Sequence, residues 1–391
     1  RYRSIQLYDD NVICVCQEST YRFLAKITDE VVSMYEAAGL ELKNVHIGGD
    51  EVPHPSKEDL DHGAWKGSPK CNALLEADED YNNSEELFYY FVDRFSKILE
   101  DRNIETGGWE EIGLSKRYDE DGDLGVDLNS DFQEKGFTPY VWNTVWGWGD
   151  EDRGYKLANA GFDVVLSNVS NNYFDLAYDT DPADPGYYWG GFVDTKKTWE
   201  FAPLNVYAEP ITNRDGTSLN VAEDFKNHTR LTVKGATNIK GIQGQLWTET
   251  VKGNDMLEYY IFPKMLGLVE RAWGPAPNWV SIKDDSLRFQ TLEKEWTVFA
   301  SRIGNFELPR LTYMNGGVNY RVAPPGIEII NGKLYVNSNY PGAVFTYTVD
   351  GSEPTRSSAK FTEPISISGK EVKVIAFYPN GKQSRAAVIK L

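Results

Sequence analysis

The residues in this chain best suited to chemistry are Asp50 and Glu51, adjacent carboxylates that follow the run Val45-His46-Ile47-Gly48-Gly49. A short β-type run gives way to two glycines, which let the backbone turn tightly and approach a bound molecule. Two acids at a strand mouth suit acid/base work, in which one carboxyl gives up a proton while its neighbour stays charged. An isolated Asp-Glu pair is more often solvated surface, so other residues must gather with it before it reads as a site.

Such residues recur wherever a strand is expected to end. Trp109, Trp142, Tyr173, Asp175, Trp247 and Glu249 all fall at or just past runs expected to be strands, at Ile104–Trp109, Thr138–Asn143, Phe162–Asn168 and Lys240–Trp247. Any one tryptophan or tyrosine is more often core than ligand platform; their coincidence at several strand ends carries the reading. Flat apolar faces with carboxylates between them suit a sugar, whose ring faces stack on aromatics while its hydroxyls donate to acids. His46, inside a strand, reads as a hydrogen-bonded support, and His54 and His62 sit in a polar loop with no metal spacing. Asp119, Asp121 and Asp123 alternate as in a calcium loop, but Leu124 and Ser130 stand where its glycine and glutamate belong, so no metal is assigned.

The elements that must position these side chains alternate. Leu24, Ile27, Val31, Met34 and Ala38 recur at helical spacing over 19–38, and Gly39 stops that helix before the strand at Val45–Ile47. The polar segment 52–83 reads as a loop or insertion, and a helix over 84–102, starting at Ser84, leads into the strand at 104–109. Further helices are expected near 151–160, over 255–273 and over 284–303, with a long insertion at 175–239. Helix and strand in alternation imply an α/β domain of parallel strands with helices outside, a barrel whose strand ends share one face. At Ala323-Pro324-Pro325-Gly326 the pattern changes to short alternating runs separated by Asn331-Gly332, Asp350-Gly351 and Asn380-Gly381, dipeptides that suit tight hairpins. The expected domains are therefore 1–323, α/β, and 324–391, a small β-sandwich.

Composition narrows the partners. The chain has 391 residues, a net charge of -19 and a pI near 4.7, which argues against nucleic acid and anionic membrane surfaces but not against neutral sugars. No apolar run approaches the roughly 18 residues that span a bilayer. Cys14, Cys16 and Cys71 match no zinc spacing; one thiol is left over if two pair, and Cys16–Cys71 is the expected bridge.

His46-Ile47-Gly48-Gly49-Asp50-Glu51 resembles the signature of family 20 glycoside hydrolases, the β-N-acetylhexosaminidases, where it ends the fourth barrel strand. The resemblance continues, in the family's order, through Gly108-Trp109-Glu110-Glu111, Trp142-Asn143-Thr144, Tyr173-Phe174-Asp175, Gly186-Tyr187-Tyr188-Trp189 and Gln245-Leu246-Trp247-Thr248-Glu249. It covers essentially the whole chain and is similar in particular to the bacterial chitobiase branch, whose members end in a small immunoglobulin-like domain. It implies exo-hydrolysis of terminal N-acetylglucosamine from chitobiose and chito-oligosaccharides, with retention and with the substrate's own acetamido group as nucleophile.

By the same resemblance Glu51 is the general acid/base, Asp50 orients the acetamido group and stabilises its developing positive charge, and Tyr173 donates to the acetamido carbonyl. Trp109, Trp142 and Trp247 wall the terminal sugar, Asp175 and Glu249 hold its hydroxyls, and Trp189 stacks on the next sugar. The charge of Asp50, with burial, is expected to raise the pKa of Glu51. No cofactor is implied. The alternatives are a non-catalytic chito-oligosaccharide-binding protein on the same scaffold and a two-carboxylate glycosidase using Glu111.

The chain departs from the family in matching only the last five of eight barrel strands, about strands 4–8, and in offering no match for the family's strand-one arginine. A partial TIM-type barrel with an incomplete pocket, which leaves open whether this stretch is active alone, and self-association through its open edges are therefore expected. The resemblance also implies a bacterial, extracytoplasmic location.

Overall fold

The computed structural model describes residues 12–52, 65–77, 81, 86–118 and 124–391. His54, His62 and the acidic run at 119–123 lie outside the described residues, as does Ser84.

Five short strands form one parallel sheet: β1 (Asn44–His46), β2 (Glu105–Trp109), β3 (Thr138–Val141), β4 (Val164–Leu166) and β5 (Ile239–Ile242). They lie side by side in chain order, each parallel to the next. Parallel neighbours cannot be joined by a tight turn, so each connection crosses back through helical structure. Leu87–Glu100 serves β1 to β2, Ser130–Glu134 serves β2 to β3, Arg153–Ala160 serves β3 to β4, and Val233–Ala236 precedes β5.

The helix Leu87–Glu100 buries Leu87, Phe88, Val92, Phe95 and Leu99, spaced by one, three or four residues, and Phe95 and Leu99 pack with Ile104, Val45 and Leu24. That packing sets β1 and β2 in place. The helix Glu18–Ala37 forms as expected, but not with the expected face inward. Tyr21, Thr20 and Thr28 are buried while Ile27 and Met34 are exposed. The reason lies in what the helix rests on: Arg94 covers the Tyr21 ring at 4.1 Å and pairs with Glu18 at 2.9 Å, which turns the Tyr21 side toward Leu87–Glu100.

Other expectations need correction. The segment 52–83, expected as a loop or insertion, contains a helix, Pro69–Ala77; proline is tolerated in the first helical turn, so Pro69 can open it. The helical pattern over 255–273 is two helices, Asn254–Ile261 and Lys264–Trp273, divided at Pro263. The insertion 175–239 carries Thr195–Glu200 and Val221–Asp224. The run Lys240–Trp247 is strand only through Ile242.

The chain separates into two compact units, Arg1–Asn168 with Lys226–Gln243, and Val169–Phe225 with Gly244–Leu391. The five-stranded sheet belongs to the first. The second holds a core of Trp199, Trp279, Leu292, Trp296 and Ile303, joined by Tyr320 and Tyr340. It also contains two antiparallel sheets, one of Ala359–Phe361, Val344–Thr348, Glu371–Phe377 and Ala387–Lys390, the other of Ile365–Ser366, Lys333–Asn337 and Gly326–Ile330. Leu334, Val372 and Val374 are buried between them. Asn331 and Gly332 both have positive φ, the hairpin geometry expected, with Ile330 facing Lys333. At Asp350-Gly351 and Asn380-Gly381 only the glycine does, so these turns are of another kind.

Candidate active site

The candidate residues divide between the units. His46, Asp50, Glu51, Trp109 and Trp142 belong to the first, and Tyr173, Asp175, Trp189, Trp247 and Glu249 to the second.

In the first, β1 ends at His46 and the chain continues beside β2, with Ile47 N–H donating to Gly107 O and Trp109 N–H to Gly48 O. Gly48 and Gly49 then take φ of 77° and 102°. At Gly49 the glycine is needed twice, because a Cβ would also meet the Phe88 ring at 3.2 Å. Glu51 itself has φ 50°, a left-handed conformation that a side chain adopts at a cost and that concentrates at functional sites. The turn leaves Glu51 exposed and Asp50 half-buried. Burial, with the charge of Glu51 adding to it, pushes the Asp50 carboxyl above the ordinary range.

A cavity of about 270 Å³ opens beside Asp50 and Glu51, lined also by Val12, Ile47, Trp65 and Phe88. Neither Trp109 nor Trp142 lines it. Trp109 is buried and edge-on to His46 at 4.7 Å, and His46 meets Tyr140 at the same distance. His46 Nδ1 accepts from Gly48 N–H at 3.2 Å, and burial lowers its pKa to about 4, so near neutral pH it is an uncharged brace for the glycine turn.

Glu110, only 1% exposed, organises the end of β3. One carboxylate oxygen accepts from the backbone N–H groups of Trp142 (2.9 Å) and Asn143 (3.0 Å), and the other pairs with Arg153, whose guanidinium also meets Asp150. The sequence reading passed over this residue. Its signal was present in the Gly-Trp-Glu-Glu run, but nothing local told which glutamate turns inward to a backbone 32 residues away.

In the second unit, Tyr173 is buried and its ring lies 5.9 Å from Trp189, edge-on, and 6.4 Å from Trp247. Tyr173 pairs in parallel fashion with Gln245, and Phe174 N–H donates to Gln245 O at 2.7 Å. Asp175 Oδ1 accepts from Trp247 N–H at 3.2 Å, tying the two motifs together. Burial raises the Asp175 carboxyl to about 6, against the pull of that amide, with the charge of Glu249 a smaller push. Trp247 and Glu249 are exposed.

Beneath this cluster lies Lys264, with no exposed surface. Its ammonium nitrogen donates to Phe174 O (2.8 Å) and Leu176 O (2.6 Å) and sits 3.9 Å from the centre of the Tyr178 ring. Burial holds its pKa well below the ordinary lysine value, opposed by Asp175. It clamps the carbonyls on either side of Asp175. No sequence signal marked it, since a lysine on an amphipathic helix is normally solvated.

Cys16 and Cys71 are joined, with Cα atoms 5.1 Å apart, and Cys14 is free.

The described residues thus hold a parallel α/β sheet, acids and aromatics at or past several strand ends, and antiparallel sheets toward the C-terminus. Residues 2–276 match the catalytic domain of glycosyl hydrolase family 20, and residues 307–386 match the chitobiase/beta-hexosaminidase C-terminal domain. The chain belongs to glycosyl hydrolase family 20, whose fold is an α/β-barrel-like domain, here followed by a C-terminal β domain. It is 32% identical to a beta-hexosaminidase of Vibrio vulnificus over all of its own length and 44% of that protein. It is 28% identical to N,N'-diacetylchitobiase of Vibrio harveyi, over 95% of this chain and again 44% of the relative. Among solved structures it is similar to a family 20 exo beta-N-acetylglucosaminidase from Vibrio harveyi in complex with N-acetylglucosamine. There the TM-score is 0.54 at 26% identity, covering 82% of this chain and 39% of that one. The chain thus spans less than half the length of these relatives. No helix among the described residues is long and apolar enough to cross a membrane.

Proposed function

We propose that the protein is an exo-β-N-acetylhexosaminidase that removes terminal N-acetylglucosamine from chitobiose and chito-oligosaccharides by substrate-assisted retention. What carries the reading is the Gly48-Gly49 turn, which sets Asp50 and Glu51 at the mouth of β1 in a chain of this family. Glu51, the more exposed acid, protonates the glycosidic oxygen and later takes a proton from water. The acetamido oxygen attacks the anomeric carbon and a cyclic oxazolinium ion forms, so no enzyme nucleophile is needed. Asp50 supplies the negative charge that the cation needs. Its raised pKa fits a carboxylate whose ionised form is completed by a positive partner. Tyr173 donates to the acetamido carbonyl, Asp175 and Glu249 hold hydroxyls, Trp109, Trp142 and Trp247 wall the terminal sugar, and Trp189 takes the next one.

In this reading β1 to β5 are strands four to eight of a (β/α)8 barrel, and the β domain begins near Pro324. Self-association through the outer strands β1 and β5 and a bacterial extracytoplasmic location belong to the same proposal. The test is Glu51→Gln in the intact protein with p-nitrophenyl N-acetylglucosaminide. Removing the general acid is expected to lower turnover by about 10²–10⁴-fold, and undiminished turnover would take Glu51 out of that role.

A further inference from the structure

In the second unit the chain from Ala177 to Val193 contains neither helix nor strand, yet it carries Trp189. An irregular stretch longer than about 12–15 residues is uncommon in a compact domain and, when ordered, is usually functional. It is closed at its root, where Ala177 N–H donates to Tyr187 O at 2.8 Å and Val193 N–H donates to Ala177 O at 3.0 Å. Gly186, with φ 123°, runs so close to Asp175 that a Cβ would stand 2.5 Å from the Asp175 carbonyl oxygen. Trp189 meets Tyr173 edge-on at 5.9 Å, so the path of this loop sets that ring against the Tyr173-Phe174-Asp175 motif.

The outer part of the loop is held from the C-terminal β domain. Asp184, whose side chain has no exposed surface, accepts from Arg321 Nε at 3.1 Å on one oxygen and from Arg321 Nη2 at 2.7 Å on the other, a bidentate pair. The Tyr259 hydroxyl donates to the first oxygen as well. Arg385 Nη2 lies 3.2 Å from the second oxygen and 3.3 Å from Asp181. Arg321 is on the segment that leads into the β domain, and Arg385 lies between the strands Glu371–Phe377 and Ala387–Lys390. These two segments are themselves joined, because Asn380 Nδ2 donates to the Tyr320 hydroxyl at 2.7 Å. Ser384 N–H donates to Ala376 O at 2.9 Å, which ties the chain just before Arg385 to the sheet. Burial alone would raise the Asp184 carboxyl, but the bonds and charge of Arg321 outweigh it and hold the carboxyl below its ordinary range, ionised near neutral pH. A carboxylate taken out of water is costly unless paired, and the two arginines that pair this one come from the β domain and its approach. The β domain offers no candidate site residue of its own, yet it grips the loop that bears one.

We propose that Asp184 is a positioning residue through which the C-terminal β domain holds the Ala177–Val193 loop in place, and with it Trp189 against Tyr173. The proposal rests on the reading under Proposed function for the role of Trp189 and adds to it the part played by the β domain.

The experiment compares wild type, Asp184→Asn, Arg385→Ala and Arg385→Lys in the intact protein. Hydrogen exchange read by mass spectrometry is expected to quicken at the amides of 181–193 by about fivefold in Arg385→Ala, the upper end for one partly exposed ion pair, and by more in Asp184→Asn. Amides of the five-stranded sheet should exchange as before, and Arg385→Lys should keep most of the protection. KM for chitobiose is expected to rise by the same factor in Arg385→Ala, with kcat within about twofold. In a Trp189→Ala background Arg385→Ala should add nothing to KM, whereas a general loss of stability would add there too. Unchanged exchange in the loop, unchanged KM in an active protein, or a KM loss of full size without Trp189 overturns the proposal. Should Asp184→Asn fail to fold, Arg385→Ala, which alters a half-buried side chain, decides. If the wild type does not turn over chitobiose, the catalytic reading fails and exchange decides alone: faster exchange of 181–193 upholds the brace, and equal exchange overturns it.

Discussion

Replacing Glu110 by alanine should uncouple the end of β3 from the sheet that carries Asp50 and Glu51. The carboxylate is 1% exposed and binds two backbone amides, of Trp142 and Asn143, as well as Arg153. Removing one partner of a buried ion pair costs about 3–5 kcal/mol, because the other charge is left uncompensated. Asp150, more exposed, keeps one arm of Arg153 and places the expected loss toward the lower end of that range. Each of the two orphaned amides adds about 1–3 kcal/mol where it is out of reach of water, so a loss of at least about 5 kcal/mol is expected overall. Urea unfolding followed by tryptophan fluorescence measures it, and with two compact units only the transition of the first should move. In a double-mutant cycle, Arg153→Met should cost less when Glu110 is already alanine, by about 0.5–3 kcal/mol. A Glu110→Ala protein within about 1 kcal/mol of wild type, or additive losses in the cycle, would refute the assignment of Glu110 as the anchor.

Lys264→Met should leave the carbonyls of Phe174 and Leu176 without their donor and loosen Asp175 from the Trp247 amide. KM for the N-acetylglucosaminide is expected to rise about tenfold, the equivalent of one lost buried hydrogen bond to a charged group, and an unchanged KM in a folded variant contradicts the clamp. Glu209 predicts a pH dependence. Burial raises its carboxyl from 4.5 to about 8, against the amide of Ala202 and the side chain of Asn171. The folded chain keeps a proton that the unfolded chain has lost, so this stabilisation is fully present below about pH 4.5 and disappears as pH rises through about 8. Glu209→Gln should flatten the fall in urea midpoint between about pH 5 and pH 8; an equally steep fall in the variant would contradict it.

Much of this architecture was legible because it is written in local pattern. The strand-glycine-acid run at 45–51 and the helix-to-strand alternation after it locate β1, β2, β3 and β4 to within a few residues. Asn331-Gly332 foretold its hairpin because only such pairs take two positive φ values cheaply. What was not legible depends on partners distant in sequence. Ile27 and Met34 keep helical spacing yet face solvent, since Arg94 and Tyr21 decide which side packs. Glu110 and Lys264 look like surface charges until the backbones 32 and 88–90 residues away are seen beside them. Likewise the burial that separates Asp50 from Glu51 comes from the turn geometry, not from either residue's identity.

The central claim is that the substrate, not the enzyme, supplies the nucleophile while Asp50 and Glu51 orient and protonate. The most direct measurement is the ratio of kcat/KM on p-nitrophenyl N-acetylglucosaminide to that on the plain p-nitrophenyl glucoside. An intramolecular acetamido nucleophile has a large effective concentration, so the acetamido sugar should be favoured by about 10³-fold or more. Equal rates on the two substrates would contradict the account.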